Sequence, residues 1–222
     1  MKDIVAVVKK EWHGFAGSEK GIFAIYIILI FVWSFLPLNN SLGSFALSGS
    51  IWWLFFSVIV TGNFASSIFV SERLNGSMEI LLTSGLSRIG VLAGKILFVV
   101  IMSVVIGILC FGLSLCWVFF SGHSGLFPGQ SFAFAFLLYL SGTFMNATAG
   151  AWMSIRMSSP RLIPFVNILL VGIVCAVYYA LSGLISLSSW TLVGLLCLAG
   201  CIFCFTAIKD FNGEKIIAPI DV

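Results

Sequence analysis

Residues 71–95 of the chain read SERLNGSMEILLTSGLSRIGVLAGK, a polar segment between two long stretches that carry no Asp, Glu, Lys or Arg. These charge-free windows span 21–71 and 96–155, and a third spans 162–208. A helix needs about 20 apolar residues to cross a bilayer, so each window can hold two crossings and a connection. Charged residues make up only 9% of the chain, against about 25% in soluble domains. The sequence therefore predicts an integral membrane protein.

Turn-forming clusters divide each window, at 37–50, 121–130 and 182–189. The predicted fold is all-α, with a single transmembrane domain over residues 1–222 and six crossings. The crossings are expected at about 21–36, 51–70, 97–120, 131–153, 162–181 and 189–208. Residues 1–20 are predicted to form an interfacial helix, and a further short helix is predicted at about 77–84, between the second and third crossings.

The basic residues indicate the orientation of this fold. All eleven Lys and Arg residues fall on one side of the six predicted crossings. Cytoplasmic loops carry an excess of Lys and Arg, so both termini and the 71–95 segment are expected in the cytoplasm, with the chain in the inner membrane of a bacterium. Tryptophans prefer the membrane interface, and Trp33, Trp52, Trp117 and Trp190 lie near predicted outer ends. The formal charge of +3 therefore reflects topology and does not call for a nucleic-acid partner.

Two segments are patterned as amphipathic helices. After Ser77, apolar residues recur at helical spacing at Met78, Leu81 and Leu82. Such a helix can dock in the groove of a partner or rest on lipid headgroups, and periodicity leaves both open. In the N-terminal segment, an apolar face is expected beside Lys9, Lys10 and Glu11, and it comprises Ile4, Val5, Val8, Trp12 and Phe15. We expect this segment to lie flat at the interface.

Both segments carry motifs of a known family. The motifs are Lys10-Glu11 near the N-terminus, Glu72, then Gly76-Ser77-Met78-Glu79, Leu81-Leu82 and Gly94-Lys95. In these motifs the chain resembles the permease subunits of ABC-2-type ABC exporters, including those of gliding-motility and nitrous-oxide-reductase-maturation transporters. Ser77 stands where Thr is usual in that family, and SGLS at 84–87 replaces a turn with proline. Both changes keep the chemistry of a helix cap and a turn. The resemblance covers about residues 1–100.

The resemblance implies an ATP-driven exporter in which this chain forms the translocation path. The segment between the second and third crossings would be a coupling helix, docked on a separate ATP-binding cassette subunit through Glu72, Gly76, Ser77, Glu79, Leu81 and Leu82. The interfacial helix would contribute Lys10, Glu11 and Trp12. A second permease copy or a homologous permease, and the lipid bilayer, would complete the assembly. No phosphate-binding loop occurs in the chain, so ATP and Mg are expected in the partner subunit. No catalytic, cofactor-binding or metal-binding residue is assigned here.

The charge-free windows also bear on other functional classes. Ion-coupled carriers usually place ionisable residues within their crossings, so a secondary transporter or channel is the less favoured alternative. A membrane enzyme is disfavoured because His13 and His123 fall on opposite sides. A non-transporting assembly subunit stays open. The polar residues Asn63, Asn146 and Asn167 either line a path or hydrogen-bond between helices.

Overall fold

The computed structural model describes residues 2–17, 20–35, 46–70, 85–120, 129–156, 162–184 and 186–211. Within these ranges the chain forms seven α-helices and one π-helical turn. The helices are α1 (Lys2–Gly17), α2 (Lys20–Phe35), α3 (Ala46–Ala65), α4 (Arg88–Phe120), α5 (Gly129–Arg156), α6 (Leu162–Leu184) and α7 (Trp190–Asp210). The π turn, Ser66–Val70, directly follows α3. The described part of the chain is therefore helical, as the sequence predicts.

Five of these helices are long and apolar enough to cross a membrane: α3 with its π turn, α4, α5, α6 and α7. An integral, multi-pass membrane protein is thereby confirmed. The first predicted crossing corresponds to α2, whose 16 residues extend only about 24 Å at about 1.5 Å per residue. A hydrocarbon core is about 30 Å thick, so α2 alone falls short of it. The prediction of six crossings therefore depends on α2.

Helices α2, α3 and α4 alternate in direction. Contacts of α2 with α3 run antiparallel, because Trp33 Nε1 donates to the carbonyl of Trp52 while Tyr26 stacks on Phe64. Contacts of α2 with α4 run parallel. In that pair the Cys110 thiol donates to the carbonyl of Ile30 at 3.6 Å, and the Ser114 hydroxyl donates to the carbonyl of Ser34 at 3.0 Å. This is the alternation expected when successive helices cross in opposite directions.

The centre of the bundle is a close contact between α3 and α5. A methyl group at Gly150 would stand 2.6 Å from Cβ of Ala65, and one at Gly142 would stand 2.5 Å from Cδ1 of Leu54. Ala147 and Ala151, which continue the small-residue row, are fully buried. Small residues let helix backbones approach closely within a membrane, so this row determines how α3 and α5 pack.

The two ends of the bundle differ in chemistry. At one end, where α1 and α4 begin and α3, α5 and α7 finish, lie the basic residues Lys2, Lys9, Lys10, Arg88, Lys95, Arg156 and Lys209; we call this the basic end. At the opposite end Trp33 packs edge-on against Trp52, and Trp190 packs against Phe134. These seven basic residues therefore gather at one end, in agreement with the sequence prediction.

Helix α4 is longer than the crossing expected at 97–120. It begins at Arg88 and has 33 residues, about 50 Å at about 1.5 Å per residue. Before α4 the chain turns at Gly85, whose φ of 80° suits glycine. Ser84 lies outside the described residues. The additional turns of α4, from Arg88 to Ile96, provide the surface on which α1 packs.

Candidate functional site

The first turns of α4 form a shallow groove that receives α1. A methyl group at Gly94 would stand 2.8 Å from Cβ of Val7 and 3.2 Å from the carbonyl oxygen of Ile4. One turn earlier, a methyl group at Gly90 would stand 2.9 Å from Cβ of Asp3. Real Cβ contacts are essentially never below 3.0 Å, so α1 can approach this closely only because both positions are glycine.

A buried ion pair lies beside this groove. Lys95 has no solvent-exposed surface, and its Nζ lies 3.0 Å from Oε1 of Glu11, whose side chain is also buried. The same Nζ donates to the carbonyl of Ile68 at 3.3 Å and lies 6.0 Å from the ring centre of Phe69. Ile68 and Phe69 belong to the π turn. Lys95 therefore joins α1, α4 and the end of α3.

A second connection links α1 to the start of α4. Oδ2 of Asp3 accepts hydrogen bonds from the Ser87 hydroxyl at 2.8 Å and from the Ser87 backbone N–H at 3.2 Å. The Ser87 hydroxyl oxygen in turn accepts from the N–H of Gly90 at 3.3 Å, which is helix N-capping. The hydrogen bonds from Ser87 lower the pKa of Asp3 below its ordinary value of 3.8. Asp3 therefore supports the cap in its ionised form.

The contacts of α1 advance in step with those of α4, from Asp3 at Ser87 to Phe15 at Phe98. Helix α1 thus runs parallel to α4 along its first turns. Its buried face comprises Val7 and Glu11, whereas Val5 and Trp12 are 66% and 54% exposed. Val5 and Trp12, two members of the apolar face expected from the sequence, therefore point away from the bundle, and contact of that face with the membrane interface stays a prediction. Glu11 lies on the buried side of α1, where its carboxylate meets Lys95. The interfacial location of α1 stays a prediction.

The other residues proposed from sequence are placed as follows. Glu72, Gly76, Ser77, Glu79, Leu81 and Leu82 lie outside the described residues, so the coupling helix stays a prediction. Lys10 is partly exposed, with Nζ 3.4 Å from Oε1 of Glu11. The structure therefore brings together Lys10 and Glu11 of the interfacial set and leaves Trp12 apart from them.

The asparagines occupy a different part of the bundle. Asn146 and Asn167 are fully buried. Asn146 Nδ2 donates to the Ser57 hydroxyl at 3.4 Å, and Asn167 Nδ2 donates to the backbone carbonyl of Asn146 at 3.5 Å. They thereby connect α3, α5 and α6. Asn63 is exposed. These bonds join helices, and a role of Asn146 and Asn167 in a path stays a prediction.

The sequence did not identify three contacts: Glu11 with Lys95, Lys95 with the carbonyl of Ile68, and Asp3 with Ser87. In the sequence, Lys95 stands out as part of the Gly94-Lys95 motif, which does not indicate its partners. One signal was available: Glu11 stands one turn from the buried Val7 and lies between apolar residues at Val8 and Phe15 in the helical repeat. A carboxylate on an apolar helix face requires a buried partner. The spacing does not say which of the basic residues that partner is.

The fold and its basic end define a class, the integral multi-pass helical membrane proteins. The chain matches a family model described as ABC-2 family transporter protein over residues 33–211. It therefore belongs to the ABC-2 transporter family and is a permease, the membrane subunit of an ABC transporter, as its resemblance predicts. The matched range includes Ile68, Ser87 and Lys95 and begins after α1. No curated protein and no solved structure matches the chain.

Proposed function

We propose that this permease works as an exporter powered by a separate ATP-binding subunit, which docks on residues 71–84. The observation that carries the proposal is the arrangement on both sides of that segment. Before it, the Ile68 carbonyl binds Lys95; after it, Ser87 binds Asp3. Because Lys95 also binds Glu11, the same N-terminal helix is linked to both flanks. A force applied to the segment would reach α1, α3 and α4 together.

The proposed orientation places the basic end in the cytoplasm. Lys and Arg in membrane proteins concentrate on the cytoplasmic side, and the basic residues of the described helices lie at this end. The orientation can be tested with single cysteines at Ser124 and Ser84 in a cysteine-free variant. An impermeant thiol reagent added outside the cell should label only the cysteine at position 124. Labelling of position 84 alone would reverse the orientation.

The proposed assembly has two permeases over two ATP-binding subunits. Five or six crossings form one wall of a path, so we propose that a second copy or a homologous permease forms the other. The windows that contain most of the crossings carry no charged residue. This favours a neutral or lipid-like cargo over a strongly ionic one.

The experiment that tests the function is purification from native membranes in mild detergent, followed by mass spectrometry of the bound proteins. We expect a stoichiometric subunit with an ATP-binding phosphate loop. Glu79→Lys should then reduce transport-linked ATP hydrolysis of the complex without removing the chain from the membrane. Recovery of a transport-active chain with no ATP-binding subunit would contradict the proposal, and unchanged coupling in Glu79→Lys would contradict the docking site.

A further inference from the structure

The buried ion pair between Lys95 and Glu11 has a large cost in desolvation free energy. Taking a charged pair out of water carries a large desolvation penalty, and apolar side chains of similar volume are often at least as stabilising. Lys95 is nevertheless fully buried, and Glu11 is 7% exposed. Stability alone is therefore a weak reason for this pair. A directional role, joining particular backbone and side-chain atoms, fits it better.

The directional contact of Lys95 is its hydrogen bond to the π turn. Lys95 reaches past the packed side chains to a backbone oxygen, the carbonyl of Ile68, in the last described turn before residue 71. π-helical turns widen the regular ladder and occur frequently at functional sites. An apolar side chain at position 95 could fill the same space but could not bind this oxygen. The hydrogen bond therefore fixes the end of α3 relative to the start of α4.

Glu11 fixes Lys95 in turn. Its Oε1 accepts from Lys95 at 3.0 Å, and a charge-assisted hydrogen bond of this kind is about twice as strong as a neutral one. Glu11 is carried by α1, whose backbone approaches the glycine groove of α4 at Gly94. The ammonium group is thereby held between a carboxylate on one helix and a carbonyl on another.

We propose that Lys95 and Glu11 are positioning residues for energy coupling. They hold α1, the π turn and the start of α4 as one body, so that a movement of residues 71–84 is transmitted along α3 and α4 and is not absorbed by bending at Ser66–Val70. The proposal rests on the proposed function, in which an ATP-binding subunit moves that segment.

The test measures a movement far from the ion pair. Phe120 at the end of α4 and Leu184 at the end of α6 are 81% and 83% exposed and can carry spin labels on introduced cysteines, in a variant that lacks the six native cysteines. The distance between the labels is measured in the complex with the copurifying ATP-binding subunit, with and without ATP and vanadate. With the wild-type ion pair we expect a nucleotide-dependent change in the distance between the labels, and in Lys95→Met we expect less than half of that change.

A double variant separates positioning from stability. Lys95→Met alone removes the buried counter-charge of Glu11 and leaves the partly exposed ammonium group of Lys10 at 3.4 Å, which is destabilising. Combining it with Glu11→Met removes both charges, and we expect folding and subunit binding to recover while the nucleotide-dependent shift stays below half. Lys9→Met, an exposed change two residues away on the same helix, is the matched control and should keep the full shift.

The two proposals fail in distinguishable ways. A full shift in Glu11→Met/Lys95→Met, with the ATP-binding subunit bound, would overturn the positioning role and leave the proposed function intact. Absence of any ATP-binding subunit from the wild-type preparation would overturn the proposed function itself.

Discussion

Adding one methyl group at Gly94 should partly release α1 from α4. In Gly94→Ala the new Cβ would stand 2.8 Å from Cβ of Val7, whereas carbon atoms pack best at about 3.5–4.0 Å. Helix α1 must therefore withdraw by about 1 Å. Overpacking of this kind costs about 1–3 kcal/mol. At the middle of that range, about 2 kcal/mol, the released population rises about thirtyfold, because about 1.4 kcal/mol corresponds to a factor of ten.

The assay follows the exposure of the buried face of α1. Val7 is 1% exposed, so Val7→Cys in a cysteine-free variant should react slowly with a water-soluble maleimide. Adding Gly94→Ala should raise the rate about thirtyfold if labelling proceeds through the released state. Gly112→Ala is the control. Gly112 lies on the same helix as Gly94, and a methyl group there would meet no atom within 4 Å. Equal labelling rates in the two variants would refute the packing of α1 against Gly94.

Three further predictions concern the ends of the helices. The folded-state pKa of Asp3 is lowered below 3.8, so its contribution to stability is present above that value and is lost as the pH falls through the folded pKa. The apparent unfolding temperature of the wild type should therefore exceed that of Asp3→Asn by a constant amount from about pH 8 to about pH 5. The difference should shrink below about pH 4. Gly85 has a φ of 80°, so Gly85→Ala should cost about 1–2 kcal/mol and Gly85→Asn less, because Asn tolerates this region; equal unfolding temperatures for the two variants would contradict the turn. Arg156 contacts Asp210 at 2.6 Å with a side chain that is 58% exposed, so Arg156→Ala should cost about 0.2–1 kcal/mol, and a loss that does not diminish at high salt would indicate that the ion pair is not its cause.

Much of the fold follows from sequence because the signal is local. Apart from the first turns of α4, the helices from α3 to α7 lie almost entirely within the charge-free windows, since a helix in a bilayer satisfies its own backbone and needs only length and hydrophobicity. The small residues Ala147 and Ala151 also indicate close packing by their spacing alone. The coupling motif at 72–82 is equally local, but its structure lies outside the described residues.

The face of α1 shows where local signals are insufficient. Periodicity groups Val5 and Trp12 with the apolar residues and places Glu11 among the charged ones, because it counts side-chain types and not partners. In the structure Glu11 turns inward to Lys95, 84 positions away in the sequence. An ionisable residue becomes a core residue only when its counter-charge arrives from another element.

By itself, the sequence determined the membrane class, the approximate helices, the segregation of basic residues to one end and the family. The first three depend on composition over about one helix length and the family depends on short motifs, and a single chain displays both without reference to its fold. Only the tertiary structure decided that α1 runs along α4, that Gly90 and Gly94 admit it, and that Lys95 binds both Glu11 and the carbonyl of Ile68. These contacts join segments distant in sequence, and their energies depend on distances between atoms that only packing sets.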